Sequence, residues 1–225
     1  MVKRIIVNFF LAIVFVLCIP QALGAEQKHE TLEDVVEEEV WIIFAHDPAG
    51  YLHDAWENFL NGDLWDAAYN IRKTKALLKL EAARAEKEAR NGLVASIRQL
   101  EGLITSLEEG TAPTSKALRQ AFAQTEYALS NHHYHKALHY KAKADYDKMT
   151  YALDAAATHL LHRSTWADLK LDPSDALAAK EARSLARKAK RGEKWLPGKL
   201  REAIEGIGRG IRSLGERPKQ TKEGS

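Results

Sequence analysis

Apolar residues recur along this chain at the three- and four-residue spacing of a single helix face, and no segment alternates apolar and polar positions in the manner of a strand. The longest run, opened by Asp63 as an N-cap, places Leu64, Ala67, Ile71, Thr74 and Leu78 on one stripe and continues through Ala82, Ala85, Ala89, Leu93, Ile97, Leu100, Ile104 and Leu107. It predicts one helix of about 45 residues, roughly 65 Å long at the usual rise, with Asn91-Gly92 the point where it would break or kink. Upstream, Thr31 and Asp34 open a helix toward His46 that Asp47-Pro48 ends, and a short helix from Tyr51 to Leu60 is closed by Asn61-Gly62. Downstream, Ser115 caps a helix to Ser130, and a second long helix from His132 to His162 carries Tyr134, Leu138, Ala142, Tyr146, Met149, Leu153, Ala156 and Leu160. Asp172-Pro173 then opens a helix that Gly192 closes, and Pro197 begins a last one with Leu200, Ile204, Ile207, Ile211 and Leu214 in register. The expected fold is an all-α bundle: two long antiparallel helices, shorter corner helices and a basic C-terminal helical hairpin.

The first 25 residues depart from this pattern. Lys3 and Arg4, an apolar run from Ile5 to Ile19, and Ala22-Leu23-Gly24-Ala25 form a secretory signal, too short for a membrane span of roughly twenty residues. The expected organisation is therefore a signal peptide over 1–25, a helical bundle over 26–166, a basic hairpin over 167–215 packed on it, and a polar tail over 216–225. Removing the signal also removes Cys18, the one cysteine, and with it disulfides, thiolate metal sites and a cysteine nucleophile. Of the 33 basic residues, 31 remain after Lys3 and Arg4 are lost, against 31 acids, and this neutral balance argues against nucleic acid as a partner. The charge is unevenly spread: from Ala167 onward 15 Lys and Arg face 9 acids, whereas between Glu26 and Glu57 ten acids face Lys28 alone. Such ends can meet within one molecule, across a dimer, or on a charged partner.

The starts of the two long runs are alike. Leu60 to Ala68 and Leu129 to Ala137, offset by 69 residues, share an apolar residue, a turn, an aromatic (Trp65, Tyr134) and an alanine in register, and predict a duplicated helix-turn-helix corner. At these corners the chain resembles secreted bacterial helical-bundle proteins of the YfdX type, over Ala55 to Leu78 and Leu118 to Leu160. The resemblance implies an envelope protein with no known catalytic residues, and its coverage does not extend to the basic C-terminal third.

Candidate chemistry is sparse. His135 and His139 stand four apart on one helix, a spacing at which two imidazoles can share an ion, and His132 lies a turn earlier on nearly the same strip. His159 and His162 form a further pair. No local carboxylate completes either set, so structural histidines are the plainer expectation and a divalent-metal site at His132, His135 and His139 the alternative. Di-iron carboxylate, nucleotide-loop and serine-hydrolase signatures are missing from the sequence, and no cofactor or enzymatic activity is expected. Gly206-Ile207-Gly208-Arg209-Gly210 follows no strand and fits close helix packing, and the five tryptophans, Trp41, Trp56, Trp65, Trp166 and Trp195, fall near helix ends as core plugs.

Lys180, Arg183, Arg187, Lys190 and Lys194 make a basic strip opposite Ala178, Ala182, Leu185 and Ala189. Without Trp or Phe to insert, this face suits docking on the bundle with its charges presented to a partner better than lying on an anionic membrane. The function expected from sequence is thus a non-catalytic exported scaffold, assembly factor or accessory subunit with a protein partner or self-association, and the alternative is a metal-binding periplasmic protein.

Overall fold

A computed structural model describes residues 47–193 and 197–216, all within one compact unit that begins at Glu39. The helix expected from Thr31, the signal segment, the acidic stretch Glu30 to Glu39, Trp41, Lys194, Trp195 and the polar tail lie outside the described residues. The described chain is all-α, a packed bundle of helices α1 Asp47–Asn61, α2 Leu64–Arg84, α3 Lys87–Glu108, α4 Ser115–Ala142, α5 Tyr146–Trp166, α6 Pro173–Lys190 and α7 Pro197–Glu216. Among the described residues no helix is long and apolar enough to cross a membrane.

Helix boundaries follow the local chemistry in most places and depart from it in three. Asp47-Pro48 opens α1 and does not end a preceding element, because proline lacks only an N–H that would have no partner in a first turn. Gly62, at φ +83°, then turns the chain into α2 as expected. The single long helix expected over Asp63 to Leu107 is instead two helices, divided at Ala85 and Glu86, whose ψ values of 142° and 156° are extended. Arg90 accounts for the break: its Nε donates to the Ala82 carbonyl at 3.0 Å and its Nη2 to the Ala85 carbonyl at 2.9 Å, satisfying acceptors that the end of α2 leaves open. Gly92, the expected breakpoint, lies inside α3, where a Cβ would stand 3.5 Å from that of Ala128.

The third departure is the second corner. Residues 129–137 are interior to α4, which starts from a Thr114 side chain accepting the Ala117 N–H at 3.1 Å and runs without Gly or Pro to Ala142. Ser130, read from sequence as the end of a helix, donates its hydroxyl to the Ala156 carbonyl at 2.8 Å inside the α4–α5 contact. The real turn is at Lys143 to Asp145, where Ala144 takes φ 57° and Asp145 accepts the Lys148 N–H at 3.2 Å. The corner is therefore not duplicated.

α4 spans two hydrophobic cores. Its first half joins α1, α2 and α3 around Leu52, Ile71, Leu78, Leu93, Leu100 and Phe122, with Trp166 reaching in from the end of α5. Its second half joins α5, α6 and α7 around Met149, Leu153, Leu160, Leu185, Ile207 and Leu214. The C-terminal hairpin is thus a wall of the second core, with Ala178, Ala182 and Leu185 buried as expected of its apolar face. The glycines of α7 serve close packing, also as expected: a Cβ at Gly208 would meet the Tyr134 hydroxyl at 2.5 Å, and one at Gly210 the Leu160 side chain at 2.8 Å.

Candidate metal centre: a buried row of histidines and carboxylates

Where the two cores meet along α4, the buried side chains become polar. Glu126, Ser130, His132 and His133 are all buried, as are Glu81 on α2 and His159 on α5. Neighbouring residues on a helix point about 100° apart, so His132 and His133 address different partners. His132 turns toward α2, where its Nε2 donates to Glu81 Oε2 at 2.7 Å. His133 turns toward α5 and stacks on His159, ring centroids 5.4 Å apart and planes within 7°. His132 and His133 themselves pack at 5.1 Å.

The far end of the row repeats the pairing of the near end. His159 Nδ1 donates to Glu126 Oε2 at 2.6 Å, and His162, one turn later, brings Nδ1 to 3.6 Å from Glu126 Oε1 while remaining 43% exposed. The order through the molecule is therefore carboxylate, three imidazoles, carboxylate, with a fourth imidazole at the surface.

Both carboxylates are held as anions. Burial alone would raise the Glu81 carboxyl, but the hydrogen bond and charge of His132, with smaller help from Lys136 and His159, hold it below the ordinary carboxylate range. Glu126 is likewise opposed by its burial and held low by the charge and hydrogen bond of His159, then by those of His162. Deprotonated oxygens beside imidazole nitrogens in a dry setting are the donor types that zinc, copper and nickel prefer, whereas calcium and magnesium call for more oxygens and water.

Among the described residues, the ligand atoms that converge are one each from Glu81, His132 and His133, all within 4.8 Å of one another. Of the strip expected from sequence, His132 belongs to this set. His135 is half-buried with its ring edge-on to Tyr134, and His139 is exposed beside Glu86 of the α2–α3 junction. The pair His159 and His162 does act together, on Glu126. Sequence reasoning missed Glu81, Glu126 and His133, although each carboxylate left a trace. Glu81 follows Leu78 by three residues and Glu126 follows Phe122 by four, which sets an acid on an otherwise apolar stripe where acids are rarely buried unless paired.

The chain was compared with protein-family models, curated proteins and solved structures. No match was found in any of them.

The basic strip is the other feature singled out by sequence. Lys180, Arg183, Arg187 and Lys190 are exposed on α6; Arg183 lies 3.8 Å from Asp154, and the Lys190 ammonium sits over the Tyr151 ring at 5.6 Å. Of the tryptophans, Trp56 and Trp166 meet edge to face at 5.8 Å and plug the first core together with Phe122, while Trp65 is 64% exposed on α2.

Proposed function

We propose that this chain is an exported, non-catalytic helical-bundle protein that binds a divalent transition ion of the zinc, copper and nickel class at Glu81, His132 and His133. The observation that carries the reading is the convergence of two imidazoles and one carboxylate, each buried, from two different helices. Export rests on the N-terminal sequence. Burying three such groups together is costly for a purely structural core, and an ion repays that cost by bonding to all of them at once. Three protein ligands also leave a coordination position open to water or to a further donor. Because α2 and α4 supply the ligands, a bound ion ties these helices together, and at a hundred times its dissociation constant it stabilises the fold by about 2.7 kcal/mol.

The test is calorimetric titration of tag-free mature protein with each of the three ions. The expected result is one tight equivalent, tighter than about micromolar or −8 kcal/mol, that disappears in Glu81→Gln and in His133→Ala. Failure of all three ions to bind at that strength sinks the reading.

A second reading, a scaffold or accessory subunit of an envelope complex, is favoured by one observation: Lys180, Arg183, Arg187 and Lys190 stand exposed along one face of α6. Its experiment is capture from the native envelope at physiological salt, where recovery of monomer alone counts against it.

A further inference from the structure

Two histidine–glutamate pairs lie along the same seam, one closed and one open. In the closed pair, His132 and Glu81 have side chains 5% exposed each; in the open pair, His139 Nδ1 is 3.6 Å from Glu86 Oε1 and the side chains are 47% and 54% exposed. On α4 the two histidines are seven residues apart, two helical turns and about 10 Å, and therefore on one face. Opposite them Glu81 stands in the last turn of α2 and Glu86 at the break that follows it. His135 falls between the two pairs on the same strip of α4, half-buried, at the boundary between solvent and core. The strip His132, His135, His139 is thus a ladder of imidazoles from surface to interior, with a carboxylate at each end.

The break between α2 and α3 is what puts the outer carboxylate there. Glu86 occupies the N-cap position of α3 in an extended conformation, yet its side chain makes no capping hydrogen bond. A cap residue ordinarily uses its side chain to satisfy a free N–H of the first turn. Here the carboxylate is turned to His139 instead, which has no evident value to the helix.

We propose that Glu86 and His139, with His135 one step inward, form a solvent-facing capture site through which a divalent transition ion reaches Glu81, His132 and His133. The inference rests on the metal reading above and adds to it a route and a second, weaker site. One imidazole and one exposed carboxylate make a weak, fast-exchanging site, the property wanted in a donor to a buried one. His135 continues the strip with a further imidazole, so the ion exchanges ligands one at a time along α4.

The experiment uses zinc with tag-free mature protein, following both equilibrium binding and the rate at which the protein draws zinc from a chromophoric chelator in stopped flow. Glu86→Gln and His139→Ala alter exposed side chains, and circular dichroism should show both variants folded as the parent. The expected result is loss of a weak second equivalent and at least a tenfold slower loading of the tight site, whose affinity stays within twofold of the parent. His135→Ala should slow loading while leaving the weak equivalent in place. If Glu86→Gln and His139→Ala load at the parental rate and keep the weak equivalent, the capture site is overturned while the buried site stands. If the parent itself draws no zinc, the metal reading fails and carries this inference down with it.

Discussion

The two cores joined by α4 solve the same packing problem with opposite devices. The first is plugged by large rings: Phe122 and Trp166 meet edge to face at 5.2 Å, and Trp56 stacks on Phe59 at 6.0 Å. In the second, the rings are tyrosines, and Tyr134 and Tyr127 lie across Gly208 and Gly215 of α7. Alanines are abundant in both, so the contrast lies in how the remaining space is used. One core excludes water by bulk and the other by close approach of backbones. It follows that they should fail in opposite ways, the first when a side chain is made smaller and the second when one is made larger.

The largest effect is expected from Phe122→Ala. Phe122 is fully buried at the ring cluster, and its loss removes transfer energy and leaves a cavity among rigid neighbours, at a cost of about 3 to 5 kcal/mol. Chemical denaturation of the variant should show the midpoint lowered with the slope little changed. A loss under about 1 kcal/mol would mean that the ring cluster collapses to fill the gap and that the first core does not depend on bulk.

Next in size is Glu126→Gln, which probes the polar row between the cores. The amide keeps the shape but gives up the charge that faces His159 at 2.6 Å and His162 at 3.6 Å. Hydrogen bonds to charged groups are worth about 1.5 to 3 kcal/mol, and a loss of that order is expected at neutral pH. Zinc binding should persist in this variant, because Glu126 is not among the three converging ligands. Loss of zinc from a folded Glu126→Gln protein would redraw the site around the far end of the row.

Gly206→Ala tests the second core from the other direction. A Cβ at Gly206 runs into the Cβ of Ala178 on α6, which cannot swing aside because it is fixed to the backbone. Overpacking costs about 1 to 3 kcal/mol, and replacing glycine in a helix interior returns up to about 1 kcal/mol. A net loss of about 1 to 2 kcal/mol is therefore expected. Unchanged or raised stability would show that α6 and α7 can separate freely and that close approach is not what holds this core.

These contrasts also explain which parts of the fold the sequence disclosed. The α6–α7 hairpin was legible because Asp172-Pro173, Gly192 and Pro197 state its boundaries in local chemistry. The break at Ala85 and Glu86 was not, since neither residue is a turn former and the extended pair is held by a guanidinium four residues further on. The segment around His132 was misread for a related reason. Polar Ser130, Asn131, His132 and His133 look like a turn when taken alone, and they are tolerable inside α4 because Glu81 and Ala156, 51 and 26 residues away, supply their partners. Local patterns report the chain's own preferences, whereas a buried polar row is a property of three helices at once.

The smallest effect on stability, and the sharpest on the second functional reading, is expected from reversing Arg183, Arg187 and Lys190 to Glu. All three are exposed on α6, so no apolar contact of the second core is lost except part of the Lys190 stem over Tyr151. Two electrostatic effects remain. Arg187 and Lys190 sit in the last turn of α6, where cations suit the helix dipole, and acids there cost a few tenths of a kcal/mol each. Arg183 stands 3.8 Å from Asp154, and an exposed pair of this kind is worth about 0 to 1 kcal/mol. Together these give a loss of about 1 kcal/mol at low salt that shrinks in half-molar salt, as the screening length falls below the separation of the charges. Helicity should be unchanged. If α6 presents its charges to a partner, capture from the envelope should fall at least tenfold in this variant, far beyond anything a 1 kcal/mol loss of stability can cause in a protein that remains folded. Capture equal to the parent, at both low and half-molar salt, would make the strip a solvated face and leave the buried row as the feature of this bundle that carries function.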